Sequence, residues 1–108
     1  MCAVRYPRGN SPGSSIELLN DPIRIGCANK VRTGKKVAIL AFGPIIEVCR
    51  EVAEEINASL IDMRFIKPID KKMIRQVCKD HELIVSVEEN AITGGAGSSV
   101  LEVISESN

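Results

Sequence analysis

The longest apolar run of the sequence is Val37-Ala-Ile-Leu-Ala-Phe42, which follows Gly34-Lys-Lys36 and precedes Gly43-Pro44. An uninterrupted apolar run of strand length indicates a strand that is covered on both faces, as in a parallel sheet. Gly43 interrupts the run, and proline suits the first turn of a helix. The run therefore predicts a central strand that leads into a helix of about residues 44–56.

The same alternation of strand and helix continues toward the C-terminus. Strands are predicted over Ala58–Asp62 and Leu83–Val87, both as buried strands, and helices over about residues 71–80 and 95–105. Asp70 is a suitable N-cap for the first of these helices. Alternation of this kind implies right-handed crossovers and a parallel sheet with helices on both faces. The predicted fold class is α/β, a three-layer sandwich with a mostly parallel sheet, which we expect to be incomplete at its C-terminal side.

The N-terminal third is less regular. Residues 7–15 contain prolines, glycines and serines that cannot form a helix interior or a central strand, so they indicate a connector. Residues 3–6 have the composition of a single strand, but nothing upstream can pair with it. Residues 23–33 alternate loosely and carry charge on one side, which predicts an edge strand or a hairpin.

Composition excludes several classes of function. Fourteen Lys and Arg balance fourteen Asp and Glu, and aromatic residues make up 3% of the chain. A nucleic-acid-binding protein would need a basic patch or stacking aromatics, so we expect no nucleic-acid partner. The apolar runs are shorter than the roughly 20 residues of a membrane span, and the N-terminus lacks a signal peptide. The expectation is a soluble cytoplasmic protein without a membrane partner.

The four cysteines are expected to be free thiols. They lie far apart in the sequence, so no C-x-x-C metal or redox pair exists. Two of them fall on apolar stripes with helical spacing, which favours small core residues over reactive thiols. The stripes are Ile45, Val48, Cys49, Val52, Ile56 for the first predicted helix and Met73, Ile74, Val77, Cys78 for the second.

Two loop features at the third strand offer possible chemistry. Gly94-Gly-Ala-Gly97 lies between a strand and a helix, where backbone N–H groups favour anions, although the spacing is not that of a dinucleotide or P-loop motif. The alternative is that these glycines only permit a tight turn. Glu88 and Glu89 end the third strand, where open α/β sheets place their sites. Adjacent residues face opposite sides, so solvation or capping of a helix is favoured over an acid/base pair.

Two further side chains are candidates. His81, the one histidine, follows a predicted helix end, and no recognisable motif places a serine or cysteine beside it, so a general-base role is disfavoured. Arg8 follows the extended dipeptide Tyr6-Pro7. It is either a solvent-facing loop charge or, as a fixed guanidinium beside exposed backbone, a ligand for an oxyanion.

Several segments, in order, resemble the 1-deoxy-D-xylulose-5-phosphate synthase family. The D-x-R-x-x-x-P-[IL]-D pattern is also similar to the C-terminal domains of transketolases and of 2-oxoacid dehydrogenase β subunits, whereas the first and last segments favour the synthases. The segments are Tyr6-Pro-Arg-Gly-Asn10, Val37-Ala-Ile-Leu-Ala-Phe-Gly43, Asp62-Met-Arg-Phe-Ile-Lys-Pro-Ile-Asp70 and Val87-Glu-Glu-Asn-Ala-Ile-Thr-Gly-Gly-Ala-Gly-Ser98.

The resemblance implies a function for the whole enzyme. Members of the family join pyruvate, after decarboxylation on thiamine diphosphate, to glyceraldehyde 3-phosphate, and the product serves isoprenoid, thiamine and pyridoxal synthesis. They are homodimers whose first two domains hold thiamine diphosphate and Mg²⁺. In this family the arginine of the Tyr-Pro-Arg-Gly segment, here Arg8, lies near the substrate phosphate.

The resemblance also divides the chain. Residues 1–8 would be the last strand of a preceding pyrimidine-binding domain, residues 9–35 a connector with an edge strand or hairpin, and residues 36–108 a truncated transketolase C-terminal-like domain. Since no cofactor motif can be carried over, we expect an inactive piece that binds neither thiamine diphosphate nor Mg²⁺ and forms no catalytic centre. Its partners would be the rest of the synthase chain and a second copy of itself. The alternative is a free-standing interaction module of the same fold.

Overall fold

The computed structural model describes residues 1–6, residue 8 and residues 22–106. Over these ranges the order of elements is β1 (Asn29–Arg32), β2 (Val37–Phe42), α1 (Ile46–Glu55), β3 (Ser59–Asp62), α2 (Lys71–Asp80), β4 (Leu83–Glu88) and α3 (Ala96–Ser105). The strands form one sheet in the order β1-β3-β2-β4. β2 pairs in parallel with β3 and with β4, whereas β1 pairs antiparallel with β3. The predicted α/β class with a mostly parallel sheet is confirmed.

The central strand β2 separates two apolar cores, which confirms the three-layer arrangement. Alternate side chains of a strand point to opposite faces. Ala38, Leu40 and Phe42 pack against α2 and α3 on one face. Ile39 and Ala41 pack against α1 on the other. Because both faces of β2 are covered, every residue from Ala38 to Phe42 is buried.

The first helix buries a different face from the predicted one. Its buried residues are Ile46, Cys49 and Ala53, while Val48 and Val52 of the predicted stripe are exposed, as is Ile56 beyond its end. The predicted and the observed sets of residues both have helical spacing. Because Ala53 has a small side chain, burying the set that contains it lets the helix backbone lie close to the sheet. Cys49 is therefore a core residue as predicted, and burial raises the pKa of its thiol.

The prediction that the third strand is buried is wrong. β4 lies at the edge of the sheet, and Leu83 and Val85 expose 54% and 39% of their surface. The side chains of Leu83, Val85 and Val87 share a face with Val37, Ile39 and Ala41, which are their register partners on β2. On that face α1 packs over β2 and β3, so it leaves this part of β4 uncovered.

The N-terminal residues form no regular element. Residues 1–6 are neither helix nor strand and are exposed, so the strand predicted for Ala3–Tyr6 is not formed in this chain. A strand requires a hydrogen-bonded neighbour, and the described strands pair only with one another. The predicted connector of residues 7–15 lies outside the described residues except for Arg8. The assignment of residues 1–8 to a preceding domain stays a prediction.

None of the helices within the described ranges is long and apolar enough to cross a membrane.

Candidate functional site

The carboxyl ends of β2, β3 and β4 meet at one edge of the sheet, where open α/β folds place their sites. Gly43 follows β2 with a φ of +85°, a backbone conformation that glycine adopts without strain. The turn there sends the chain into α1 on one face of the sheet. β4 ends at Glu88, and its connection leads to α3 on the opposite face.

Glu88 is the cap of the last helix. Its Oε2 accepts a hydrogen bond from the Ala96 N–H at 2.8 Å, and its Oε1 accepts one from the Gly97 N–H at 2.9 Å. A carboxylate at a helix N-terminus is stabilised by the helix dipole as well as by these bonds. A Cβ built on Gly95 would clash with the Ala91 backbone carbonyl oxygen and lie 2.5 Å from Glu88 Oε1, so glycine is required at this position.

This contact settles two of the alternatives left open by the sequence. The position at the start of α3 that would favour a phosphate is filled by the protein's own carboxylate, so the glycines of residues 94–97 serve the turn and the cap. Glu88 caps a helix, while Glu89 is exposed. The two carboxylates therefore do not form an acid/base pair, as their adjacent positions predicted.

A cleft of about 520 Å³ lies beside the ends of β2 and β3. Asp62 and Arg64 form an ion pair there, with Arg64 Nε 3.6 Å from Asp62 Oδ2 and both side chains 28% exposed. The backbone N–H of Arg64 also donates a hydrogen bond to Asp62 Oδ1 at 3.2 Å. The lining residues are Ile23, Gly43, Pro44, Ile46, Asp62, Arg64 and Phe65.

Sequence reasoning did not single out this cleft. Arg64 has a φ of +56°, which is uncommon for a residue with a side chain and often occurs where a site imposes strain. The available signal was the Asp62-Met-Arg64 part of the quoted motif. The lining of the cleft offers one cation, one anion and no nucleophile. The cleft can therefore bind or position a polar group, but it provides no means of covalent catalysis.

Asp70 joins the second helix to the segment before β1. Its Oδ1 accepts from the Met73 N–H at 2.9 Å, which confirms the predicted N-cap. Its Oδ2 accepts from the Ala28 N–H, also at 2.9 Å. Both oxygens are therefore engaged in holding backbone, and this carboxylate is structural.

His81 lies near the opposite, amino edge of the sheet, beside a serine that the sequence did not place there. Its Nε2 is 2.8 Å from Ser59 Oγ, and its Nδ1 is 3.0 Å from the Val77 carbonyl oxygen. Since a carbonyl only accepts, Nδ1 donates to the Val77 carbonyl, and Nε2 shares a hydrogen bond with the serine hydroxyl. Ser59 Oγ also accepts from the Gly34 N–H at 2.9 Å.

This pair is not a catalytic dyad. Ser59 exposes only 1% of its surface, so no substrate can reach its oxygen. The bonds instead tie together the turn before β2, the start of β3 and the end of α2. The disfavoured general-base role of His81 gains no support from its position.

The structure brings Arg8 into contact with none of these residues. Its side chain is exposed, and both of its sequence neighbours lie outside the described residues. Its suggested role at a substrate phosphate stays a prediction.

Comparison with known proteins gives a consistent picture. The family described as "Transketolase, C-terminal domain" matches residues 26–108. The chain is 49% identical over 100 residues to a 1-deoxy-D-xylulose-5-phosphate synthase of Vibrio vulnificus and 51% identical over 102 residues to that of Pasteurella multocida. These alignments cover 93% and 94% of this chain but 16% of each relative. The chain thus spans about a sixth of the length of the relatives it matches.

A solved structure has the same fold. It is described as "Split gene transketolase, inactive beta4 tetramer" and superposes with a TM-score of 0.74 at 31% identity. The match covers 94% of this chain and 33% of that one. The sheet and helices described above are therefore those of a known type of domain.

Proposed function

This chain belongs to the family of transketolase C-terminal domains, and we propose that it is the part of a 1-deoxy-D-xylulose-5-phosphate synthase that supports catalysis without performing it. The whole enzyme would condense pyruvate with glyceraldehyde 3-phosphate to give 1-deoxy-D-xylulose 5-phosphate. One observation carries the proposal: identities of 45–51% extend over nearly the whole chain while covering only about a sixth of each synthase.

The described residues do not by themselves fit the cofactors of such an enzyme. Among them, no group of three or more His, Cys, Asp or Glu side chains is placed to hold a metal ion. Near the carboxyl edge, Glu88 and Asp70 bind backbone N–H groups and Asp62 pairs with Arg64. We propose that thiamine diphosphate and Mg²⁺ are held by other parts of the enzyme, and no step of the reaction is assigned to this chain.

Arg8 is the residue that we assign to the substrate. In the whole enzyme its guanidinium would donate charge-assisted hydrogen bonds to the phosphate of glyceraldehyde 3-phosphate. Its exposure in this chain leaves the guanidinium accessible to such a group. The remaining partners would be the rest of the synthase and a second copy, and the location would be the cytoplasm.

A second candidate is a separately encoded module that assembles with other subunits. The observation in its favour is the structural neighbour, whose description names a split-gene transketolase in an inactive tetramer. A free-standing domain of this fold, including one of the 2-oxoacid dehydrogenase β-subunit type, would have the same sheet and the same capped helices. The two candidates differ in whether the chain must be joined covalently to cofactor-binding domains.

Calorimetry and a turnover assay test the proposal on the chain itself. Titration of thiamine diphosphate with Mg²⁺ into the protein should give no binding heat, and pyruvate with glyceraldehyde 3-phosphate should not be consumed. Micromolar affinity or measurable turnover would contradict the proposal. Adding a synthase that lacks the matching region separates the candidates, because restored turnover without covalent linkage would favour the separate module.

A further inference from the structure

We propose that the cleft beside the ends of β2 and β3 is a binding site for a small organic carboxylate. Arg64 would hold the carboxylate group, and the apolar side chains of the cleft would contact the rest of the ligand. This inference goes beyond the proposed function and does not depend on it. At about 520 Å³ the cleft lies within the roughly 300–1,000 Å³ that is typical of small-molecule sites.

The guanidinium of Arg64 retains hydrogen-bond donors for a ligand. Its side chain lines the cleft and is 28% exposed, and Nε lies 3.6 Å from Asp62 Oδ2. Among the described residues, nothing accepts a hydrogen bond from the terminal nitrogens Nη1 and Nη2. Two terminal nitrogens in a planar fork match the two oxygens of a carboxylate in a bidentate pair.

The charge of the cleft favours a carboxylate over a phosphate. Asp62 lies beside the guanidinium, so the two charged side chains that line the cleft cancel each other. A phosphate dianion at Arg64 would bring a second negative charge close to the Asp62 carboxylate, and like charges at short range repel strongly. A carboxylate carries a single charge, so it gains the guanidinium contact with less repulsion.

The rest of the lining suits a short apolar group. Ile23, Pro44, Ile46 and Phe65 all line the cleft. At Gly43 the cleft is open, since a Cβ built there would meet no described atom within 4 Å beyond its chain neighbours. A ligand with a branched aliphatic group therefore removes apolar surface from water while its carboxylate pairs with the guanidinium.

The segment that brings Ile23 to the cleft is fixed to the domain at two points. The Ala28 N–H donates to Asp70 Oδ2 at 2.9 Å. Gly26 has a φ of +71°, and a Cβ built on it would lie 2.9 Å from Pro68 Cγ, so the segment packs closely on the loop before α2. This side of the cleft is therefore held by contacts within the described part of the chain.

The backbone at Arg64 is a further sign of a site. Its φ of +56° lies in a region that is uncommon for residues with a side chain and that occurs often at ligand sites. Glycine and asparagine adopt this conformation more readily, so the turn alone would favour one of them. The guanidinium gives a reason for arginine at this position.

Titration of the isotope-labelled chain with isovalerate is the first test, read from the backbone amide signals in nuclear magnetic resonance spectra. The signals of Gly43 and Arg64 should shift saturably, with a dissociation constant in the millimolar range. Isovaleramide has the same aliphatic group without the charge, and inorganic phosphate has the charge without the aliphatic group. Each should bind at least about tenfold more weakly than isovalerate.

Arg64→Asn tests the role of the guanidinium. Asparagine tolerates the positive φ, so the circular dichroism should be unchanged while the affinity for isovalerate falls at least about tenfold. Arg50→Asn is the matched control. It removes an arginine that is also ion-paired, with Glu47 on α1, but that does not line the cleft, and it should bind isovalerate like the wild type.

Asp62→Asn tests the charge argument with a change of the opposite sign. The asparagine Oδ1 can still accept the backbone N–H of Arg64, but the negative charge beside the guanidinium is lost. This variant should bind isovalerate more tightly than the wild type, and its preference for isovalerate over phosphate should be smaller. It keeps the proposal testable even if Arg64→Asn does not fold.

Several outcomes would overturn the proposal. Shifts that do not saturate, or that are confined to residues outside the cleft, would mean that isovalerate does not bind there. Equal affinity for isovaleramide would show that the guanidinium contributes nothing, as would unchanged affinity in Arg64→Asn. Phosphate that binds as tightly as isovalerate would contradict the ligand class. Weaker binding in Asp62→Asn would mean that Asp62 assists the ligand instead of repelling it.

Discussion

The two edges of the sheet are built in opposite ways. β1 is a four-residue strand that carries Lys30 and Arg32, and its register with β3 shifts between those two residues. β4 is six residues long, regular in its pairing with β2 and apolar except at Ser86 and Glu88. Charge and an irregular ladder are the means by which natural proteins keep an edge from pairing.

The two edge strands also differ in how their side chains are held. At β1, Arg32 donates hydrogen bonds to the Ala58 carbonyl oxygen and to Asn57 Oδ1, so its charge is tied back onto the turn before β3. At β4, Leu83 and Val85 are partly exposed on the face where α1 packs over β2 and β3. Among the described strands, β1 therefore carries the features of a protected edge and β4 does not.

The largest effect on stability is expected at β2, which lies between β3 and β4 in the sheet. Leu40→Asp would place a carboxylate in the centre of β2, at a position with 0% exposure. Burial of an unpaired charge costs several kcal/mol, which is comparable to the total stability of a small domain. Circular dichroism should show an unfolded chain, and native spectra would contradict the layered arrangement.

Val85→Asp is the matched control for that experiment. The same substitution at the edge strand leaves the carboxylate in contact with water, so the variant should keep its secondary structure. From the sequence alone both positions are expected to be equally intolerant, because both lie in apolar runs. Unfolding of both variants would contradict the placement of β4 at the edge.

A smaller effect is expected at the β1 edge. Arg32→Gln removes the charged donor to the Ala58 carbonyl and Asn57, and loss of charge-assisted hydrogen bonds should cost about 1–2 kcal/mol. Urea denaturation measures the change. Lys30→Gln on the same strand is the control, since it removes an equal charge from an exposed side chain. Equal losses in the two variants would mean that net charge, not the Arg32 contacts, stabilises this edge.

The sequence predicts the centre of the sheet better than its borders. An apolar run such as Val37–Phe42 has one physical explanation, which is cover on both faces. The run that begins at Leu83 has two, because a strand at the border of the described sheet can be as apolar as a central one. The sequence pattern also does not predict which face of α1 is buried. Val52 and Ala53 are both apolar, and only packing on the sheet selects between them.

The sites show the same limit. The caps formed by Asp70 and Glu88 are local, so spacing along the chain suggests them. The Ser59–His81 contact joins residues that are 22 positions apart, and only the fold brings them together. The Asp62–Arg64 pair is close in sequence, but it depends on a positive φ at Arg64 that no propensity of arginine predicts.

Glu88→Gln tests the end of β4 where the edge strand meets its own helix. The amide oxygen can still accept one N–H of α3, but the negative charge at the helix N-terminus is lost. We expect the free energy of unfolding to fall by about 1 kcal/mol. Glu89→Gln, the exposed neighbour, should leave it within about 0.5 kcal/mol of the wild type in chemical denaturation. A larger loss in the Glu89 variant would contradict the assignment of the cap.

The smallest effect on stability is expected at the C-terminal end of α3, the helix that covers the other face of β4. An ion pair joins this end to α2. Lys71 of α2 donates a 2.9 Å hydrogen bond to Glu106, and this bond together with the Lys71 charge holds the pKa of that carboxyl below its ordinary value of 4.5. Because the pKa is lowered in the folded state, the stabilisation is fully present above that ordinary value. It is lost as the pH falls through the folded pKa.

The pair therefore contributes at neutral pH and disappears in acid. In thermal melts at low ionic strength, Glu106→Gln should lower the melting temperature slightly at pH 7 and leave it unchanged well below pH 4.5. Glu102→Gln, one turn earlier on α3, is the control for loss of a carboxylate. If Glu106→Gln has the same effect at both pH values, the ionised form is not what joins α3 to α2. The cover of β4 on that face would then depend on apolar packing alone.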